Sequence, residues 1–288
     1  MRKIVRISFV PVFMLLSGAL FAQQQNTPAS SVPNVLDNTY VKENFPNRRV
    51  IPYPFLREAD VIWSKRVWRI MDLKEKMNLN FYYPISPNAN RKSLWDLVYA
   101  AVKSGELQVY EFNPFDNDRS FTEQMTKSKQ DTALLKLIRV VDEAGNSSVQ
   151  GQPFGSPDIA QYELKEDWFF EKQRSVLDCR ILGICVVRKL FGDDGGEQNG
   201  TVPMFWIYFP QLRPLLSKAE VFNEKNDAER RTYEDIFWKR QFSSFIIQES
   251  NVYNRPINKY LENTLDALLE SDKIKNNVAT LEHDMWQY

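Results

Sequence analysis

The chain has 288 residues, of which 43% are hydrophobic and 13% are aromatic. This composition excludes a disordered chain and supplies enough core for one large domain or two ordinary ones. Its 37 basic residues equal its 37 acidic residues, so no net charge would attract nucleic acid or an anionic membrane. No second long apolar run follows the one at the N-terminus, which argues against a membrane-spanning protein.

Residues 1–22 have the pattern of an export signal peptide. Arg2, Lys3 and Arg6 form a basic start, residues 7–21 form an apolar stretch, and Ala22 suits the position before a cut. The alternative is an uncleaved membrane anchor, although the apolar stretch is short for a span. No cysteine lies at the cut, so we expect the mature chain to carry no lipid anchor of its own.

Residues 23–56 are predicted to be an extended N-terminal tether that ends in a proline-rich strap. The first part is polar, and residues 44–56 combine Pro46, Pro52 and Pro54 with the aromatic residues Tyr53 and Phe55. Proline fixes an extended backbone and removes donors, so this strap should lie on a surface instead of joining a sheet. It could wrap its own domain or a neighbouring molecule.

The stretch 57–84 is predicted to be a helix followed by a short extended piece. Its apolar side chains fall mostly on one broad side at helical spacing. Val61 and Trp68 break this pattern and would project from the charged side, giving the helix a second apolar face. Either the same domain covers both faces, or Trp68 marks a contact with another subunit.

The sequence between residues 85 and 157 predicts a helix, a strand and a boundary. Helical spacing over residues 94–102 ends at Gly105, a favoured helix C-cap. Residues 107–112 alternate like a strand, and the apolar run 134–142 could be strand or helix. The Gly-, Ser- and Pro-rich residues 146–157 are a candidate boundary between an N-terminal α/β lobe (57–145) and a C-terminal α+β lobe (158–270).

The second half predicts mostly strands. Residues 160–165 and 176–190 have strand character, 166–174 suggest a helical turn, and the polar loop 192–200 leads into an aromatic strand at 202–209. Thr232 and Asp235 form a capping box that predicts a helix, and 244–248 predicts a short strand. Fold class is therefore predicted as α+β, with helices packed on mixed or mainly antiparallel sheets and two lobes as one option.

The C-terminal segment carries two apolar stripes that point in opposite directions. Ile257, Leu261, Leu265 and Leu268 form the first stripe. The second stripe lies in the predicted helical tail 271–288 and consists of Ile274, Val278, Leu281 and Met285. Either the helix kinks near residues 271–272, or the tail docks on another molecule.

The residue types needed for common active sites are scarce. His283 is the sole histidine, and Cys179 and Cys185 are too few for a structural zinc site. The two cysteines lie roughly 20 Å apart along a predicted strand, which favours free thiols; a bend at Gly183 would allow a disulfide. We therefore predict no catalytic residue, no cofactor and no metal site.

One alternative would make the chain an enzyme or a binding module. Glu166 and Asp167 beside Trp168 could form a glycan-binding or glycan-cleaving site, with two carboxylates and a stacking surface. Arginines among apolar residues favour internal ion pairs with carboxylates such as Glu166 or Asp235. These arginines are Arg180, Arg188, Arg213, Arg240 and Arg255.

Four segments together resemble the GldN / PorN family, a ring component of gliding motility and the type IX secretion system. They are READVIWSKRVWRIMDLKEKMN (57–78), FYYP (81–84), YELKEDWFFEKQRSVLDCRILGI (162–184) and the stretch 205–257 that begins FWIYFPQLRPLL. The resemblance covers about residues 52–260. It implies a non-enzymatic protein of the periplasm, held at the outer membrane by a lipoprotein partner.

The resemblance also implies partners. They are a GldK/PorK-like outer-membrane lipoprotein, a GldM/PorM-like inner-membrane motor protein and further copies of the chain within a ring. Rings need two different contact patches on each subunit. The candidate contact residues are Trp68, Val61, Tyr53, Phe55, Ile274, Val278, Leu281 and Met285.

Overall fold

A computed structural model describes residues 48–286, apart from 89–90, 117–118, 142–146, 193–194, 224–225 and 227. The predicted signal peptide and the tether up to residue 47 lie outside the described residues. Residues Asn44–Tyr288 form one compact unit. Among the helices of the described part, none has both the length and the apolar character required to cross a membrane.

The described part of the chain contains ten strands and six α-helices. The strands are β1 (Val61–Asp72), β2 (Val109–Glu111), β3 (Leu135–Val141), β4 (Ser147–Pro153), β5 (Ile159–Glu171), β6 (Val176–Phe191), β7 (Glu197–Tyr208), β8 (Glu220–Val221), β9 (Arg231–Thr232) and β10 (Phe245–Glu249). The helices are α1 (Leu79–Tyr82), α2 (Leu94–Ser104), α3 (Lys127–Ala133), α4 (Phe209–Leu216), α5 (Tyr233–Trp238) and α6 (Thr264–Trp286).

A six-stranded sheet organises the unit, with the strand order β10-β1-β5-β6-β7-β2. Every neighbouring pair in this sheet is antiparallel. Two small two-stranded sheets, β3-β4 and β8-β9, complete the described strands. The predicted α+β class, with helices on antiparallel sheets, is confirmed.

The prediction of a helix over 57–84 is wrong, because its central part, Val61–Asp72, is strand β1. β1 pairs with β5 on one side and with β10 on the other, so it lies inside the sheet. Over Val67–Met71 both of its faces are covered, and a strand covered on both faces carries apolar side chains in succession instead of alternating. This succession of apolar residues also fits the spacing of one face of a helix, which explains the wrong prediction. Helical structure follows only at Lys76–Asn78 and α1.

A second correction concerns the predicted helical turn at 166–174. β5 continues through this stretch to Glu171, and Glu166, Asp167 and Trp168 all pair with β6. Successive side chains of a strand point to opposite faces. Glu166 and Asp167 therefore lie on opposite faces of the sheet.

The locally signalled elements are confirmed. α2 begins at a capping box between Ser93 and Asp96 and ends at Gly105, whose φ of 80° is left-handed. α5 begins at the predicted capping box of Thr232 and Asp235. The apolar run 134–142 contains strand β3, and the predicted strand 244–248 coincides with β10.

The candidate boundary at 146–157 does not divide the molecule into two sheets. β1 and β2 precede this stretch and β5, β6 and β7 follow it, yet all five belong to the same sheet. The stretch itself contains β4, which forms a two-stranded ribbon with β3. Such a ribbon is marginally stable alone. The β6–β7 hairpin supports this ribbon. Ile138 of the ribbon packs beside Gly195 of the hairpin, and the Lys136 ammonium lies 3.4 Å from the ring centroid of Phe191.

The two faces of the large sheet carry different cores. The main core packs the sheet against α2, α4 and α5 and includes Tyr162, Leu164, Phe205 and Trp95. The other face carries a smaller cluster of Trp68, Cys185, Val187 and Trp206, with Tyr110, Phe112, Phe121 and Ile247 packed against it. The excursion between β2 and α3 therefore covers the second face.

Helix α6 docks on the edge of the sheet beside β10. Ile274 is buried in a cluster with Val67 and Ile246. The backbone N–H of Ile246 donates to Ser271 Oγ at 2.8 Å. Ile257 and Leu261 of the first predicted stripe and Ile274 of the second belong to this cluster, and α6 runs as one continuous 23-residue helix through residue 271.

Candidate functional site

The proline-rich strap lies on the body of its own chain, anchored by Tyr53. The Tyr53 ring stacks on Trp238 with centroids 5.5 Å apart, and the Arg213 guanidinium lies 4.0 Å from the Tyr53 ring centroid. A cation over an aromatic face is attracted by the electron-rich ring. Tyr53 thus contacts both a ring and a cation.

Two arginines also hold the strap backbone. Arg213 Nη2 donates to the carbonyl of Ile51 at 2.8 Å, and Arg180 Nη2 donates to the carbonyl of Pro54 at 2.6 Å. These two strap carbonyls accept hydrogen bonds from arginine side chains, which take the place of the backbone N–H donors that a neighbouring strand would supply. Arg48 adds an ion pair to Asp235 at 2.7 Å. Among the described residues, the strap is therefore docked by side chains of the body.

A buried carboxylate lies below the strap, at the centre of an arginine cluster. Glu166 is 0% exposed, and Arg240 Nη2 donates to its two oxygens at 2.9 and 3.0 Å. Arg69 Nε lies 3.3 Å from Glu166 Oε2, and Trp168 Nε1 donates to the same oxygen at 3.1 Å. Buried charges require such partners, since an isolated charge is strongly unfavourable away from water.

Cys179 belongs to this cluster as a neutral thiol. Arg240 Nη1 donates to Cys179 Sγ at 3.3 Å. Burial, together with the charge of Glu166, raises the pKa of the Cys179 thiol well above its usual range. Cys185 is buried on β6, and both cysteines are free, in agreement with the preferred prediction.

The arginine predictions are confirmed in part. Glu166 has an arginine partner as predicted, and that partner is Arg240. Arg213 pairs with Glu234, which the sequence did not single out, and its Nε donates to Oε1 at 2.7 Å. Arg69 was not anticipated as a member of the cluster. The helix assigned to residues 57–84 placed it on a solvent-facing side, and only its position on a strand beside β5 reveals its partner.

The glycan-directed alternative does not fit this geometry. Glu166 is shared by two arginines, and Asp167 on the opposite face forms a two-point ion pair with Arg66 at 2.7 and 3.0 Å. A glycosidase needs both carboxylates facing one bond of the sugar. The guanidinium groups of Arg240 and Arg69 lie 5.1 and 5.8 Å from the ring centroid of Trp168. The ring is therefore part of the ion cluster of its own chain.

Two cavities flank the cluster. The larger, about 450 Å³, lies between α6 and the sheet, and the smaller, about 230 Å³, lies under Tyr53 and Trp238. Trp168, Leu177 and Arg240 line both cavities. Within the described part of the chain, no three His, Cys, Asp or Glu residues are grouped to hold a metal ion.

Three of the candidate contact residues are buried within this chain, which corrects the picture of them as exposed. Trp68 is 0% exposed, because the Arg119 and Lys165 side chains and the second-face cluster cover it. Ile274 and Val278 are buried on the side of α6 that faces the sheet. Their stripe therefore docks on the chain's own sheet in this structure.

The remaining candidates divide between surface and intermediate positions. Phe55 is 87% exposed beside the docked Tyr53, whereas Val61 and Leu281 are half-buried. The side chain of Met285 lies outside the described residues. The contact roles of Phe55, Val61, Leu281 and Met285 stay predictions.

The structure adds exposed apolar residues that were not selected from the sequence. The part of the first stripe that lies on α6, Leu265 and Leu268, is exposed together with Leu269, and the preceding loop exposes Val252 and Tyr253. The β3-β4 ribbon exposes Leu135, Leu137 and Val149 on one face. The opposition of the two stripes was visible in the sequence. Which one docks depends on β10, so the sequence could not decide it.

Comparison with known families gives one assignment. The model of a family described as "Gliding motility associated protein GldN" matches residues 56–287, which is most of the chain. A comparison with curated proteins found no match. The matched range spans the sheet, the arginine cluster and α6, and it begins at the end of the strap.

Proposed function

The chain belongs to the GldN family of gliding-motility-associated proteins, and from this premise we propose that it is a non-enzymatic structural component of the periplasmic ring of the type IX secretion system. In this role it assembles with a GldK/PorK-like outer-membrane lipoprotein and couples to a GldM/PorM-like motor protein. The family match over residues 56–287 carries the proposal.

The distribution of exposed apolar side chains supports an assembling subunit. A ring requires two different patches on each subunit, since each copy meets a neighbour on either side. Leu265, Leu268 and Leu269 on α6 offer one patch, and Leu137 and Val149 on the ribbon offer another. Contiguous exposed apolar patches mark interaction sites on protein surfaces.

The charged groups inside the protein support a structural role as well. Glu166 is engaged by Arg69 and Arg240, and Glu163 on the other face is engaged by Arg119 at 2.7 Å. Each carboxylate holds strands and loops together, and neither is left to act on a substrate. A protein of this kind would work through its surfaces.

The test is crosslinking and affinity purification from the cell envelope, followed by electron microscopy of the complex. We expect the tagged protein to co-purify with a lipoprotein and an inner-membrane protein and to form rings. Recovery of a solitary soluble species that turns over a small molecule would contradict the proposal.

A pair of variants on α6 tests the surface directly. Leu268→Lys places a charge in the exposed apolar patch, and we expect it to lower the yield of complex at least about tenfold while circular dichroism stays unchanged. Asn276→Lys adds the same charge at another exposed position of the helix. It should assemble normally. Equal yields from both variants would remove α6 from the contact surface.

A further inference from the structure

The larger cavity has the size and lining of a ligand site. Its volume of about 450 Å³ falls in the usual range for small-molecule pockets. Apolar walls come from four elements, with Val67, Ile246, Leu177 and Val278 among them. These walls offer an apolar group a surface away from water, and polar residues such as Ser243 and Ser244 line the rest of the cavity.

The charged groups of this cavity are unequal in number. Arg69, Arg240 and Lys275 line it as cations, whereas Glu282 is the one carboxylate among the described lining residues. Glu166 lies buried beside the two arginines and adds a second negative charge. Three positive charges against two negative ones leave an excess of one cation at the cavity.

The arginine cluster does not use all of its donors internally. Arg69 Nη1 donates to Ser244 Oγ at 3.1 Å, but the buried Nε of Arg69 has no well-directed hydrogen bond despite lying 3.3 Å from Glu166. Glu166 is shared between the two guanidinium groups. Burial lowers the pKa of Arg69, in keeping with a cation that has lost water without full compensation.

We propose that this cavity binds a carboxylate attached to an apolar group, with the carboxylate at Arg69, Arg240 and Lys275 and the apolar group against the walls. Planar guanidinium groups match carboxylate geometry, and one negative charge balances the excess. Phosphate would bring a larger charge and no apolar body. The inference goes beyond the assembly role proposed above and does not depend on it.

Isothermal titration calorimetry on the purified full-length mature chain tests the proposal with a matched pair of probes. N-acetylphenylalanine has the carboxylate and an aromatic group, and N-acetylphenylalanine amide differs only in the charge. We expect a Kd on the order of a millimolar for the acid and at least about tenfold weaker binding of the amide. No binding of the acid, equal binding of the two, or phosphate binding in place of the acid would overturn the proposal.

Two variants locate the binding. Ala279 lines the cavity from α6, so Ala279→Phe should narrow the cavity and weaken acid binding at least about tenfold. Thr280→Phe adds the same ring at the next position, which is exposed like Ala279 but does not line the cavity, and should not weaken binding. Lys275→Gln removes one exposed cation without touching the buried cluster and should weaken the acid about threefold, leaving the amide unchanged. Unchanged acid binding in both Ala279→Phe and Lys275→Gln would place the ligand elsewhere.

A third probe identifies the source of the carboxylate. A heptapeptide with a free C-terminal phenylalanine offers the same carboxylate on a longer chain. Tighter binding than N-acetylphenylalanine would support the proposal with a polypeptide terminus as ligand. Equal or weaker binding of the peptide, with the acid still bound, would support it with a small organic acid.

Discussion

The ring of Tyr53 stacks on that of Trp238, with centroids 5.5 Å apart and planes inclined by 19°. Arg213 completes the clamp from above the Tyr53 ring and also binds the carbonyl of Ile51. The strap has no strand pairing in the described structure, so this side-chain clamp determines how often it lifts from the body.

We therefore predict that Tyr53→Ala releases the strap without unfolding the protein. Loss of the stacked ring and of the cation–π contact removes about 1–2 kcal/mol from the docked state. Limited trypsin digestion measures the effect, because Arg49 and Arg57 flank the docked tyrosine. Cleavage at these sites should accelerate about tenfold, while far-ultraviolet circular dichroism stays the same.

The control for this experiment is Phe55→Ala in the same strap. Phe55 is 87% exposed, so its removal should leave the cleavage rate unchanged. Equal acceleration in the two variants would mean that chain composition, and not the Tyr53–Trp238 stack, determines access to the protease.

Trp68→Ala is predicted to destabilise the fold instead of disrupting a subunit contact. Trp68 is fully buried between β10 and β5, and deletion of a buried tryptophan side chain costs about 3–5 kcal/mol. Urea unfolding measures this loss. Ile62→Ala on the exposed part of β1 should cost less than about 1 kcal/mol. Wild-type stability in Trp68→Ala would contradict the burial.

Local patterns were enough to predict some elements. Helical spacing and Gly105 predicted α2, and the Thr232–Asp235 capping box predicted α5. Both signals could be recognised because each involves residues within a few positions of one another. β1 could not be identified in this way. Val67 is paired with Glu166 and Glu249, about 100 and 180 positions away, and those long-range pairings decide its conformation.

The candidate site was predictable to a similar extent. An arginine among apolar residues favours a carboxylate partner, so an arginine at Glu166 followed from residue types, whereas the choice of Arg240 did not. The clamp joins Tyr53 in the strap to Trp238 in α5. These residues are far apart in the sequence, so no local pattern connects them. The outcome for α6 is intermediate, since periodicity gave two opposed stripes but not the one that meets β10.

Glu163 should make stability depend on pH. Burial raises the pKa of Glu163 from 4.5 to about 7, against the opposing charge of Arg119. Between these values the native state holds a proton that the unfolded chain has lost. The free energy of unfolding therefore falls as pH rises from 4.5 to 7, by about 3 kcal/mol at most. The contribution is fully present below pH 4.5 and lost above pH 7.

Glu163→Gln tests this dependence because glutamine keeps the shape and cannot ionise. Urea unfolding at pH 5 and pH 8 gives the change in free energy for each protein, and the variant should lose about 3 kcal/mol less than the wild type across this range. Glu262→Gln, at an exposed position, should retain the wild-type change. Identical pH dependence in the wild type and Glu163→Gln would show that Glu163 ionises alike in both states.

Gly183 and Phe121 hold the excursion between β2 and α3 against the second face of the sheet. A Cβ atom on Gly183 would lie 2.3 Å from Phe121 Cζ, so the ring can pack here only because residue 183 has no side chain. Gly183→Ala should therefore displace the ring and cost about 1–3 kcal/mol. Gly151→Ala, on the exposed ribbon, meets only the flexible end of Leu135 at 3.3 Å and should cost less.

A double-mutant cycle separates this clash from any general intolerance of alanine at residue 183. Phe121→Ala alone should cost about 2 kcal/mol, since it removes a partly buried ring from the cluster around Trp206. In the double variant Gly183→Ala no longer meets the ring, so the combined loss should fall short of the sum by about 1–2 kcal/mol. Urea unfolding of the four proteins gives this coupling. Additive losses within about 0.5 kcal/mol would mean that the Phe121 ring does not pack on Gly183.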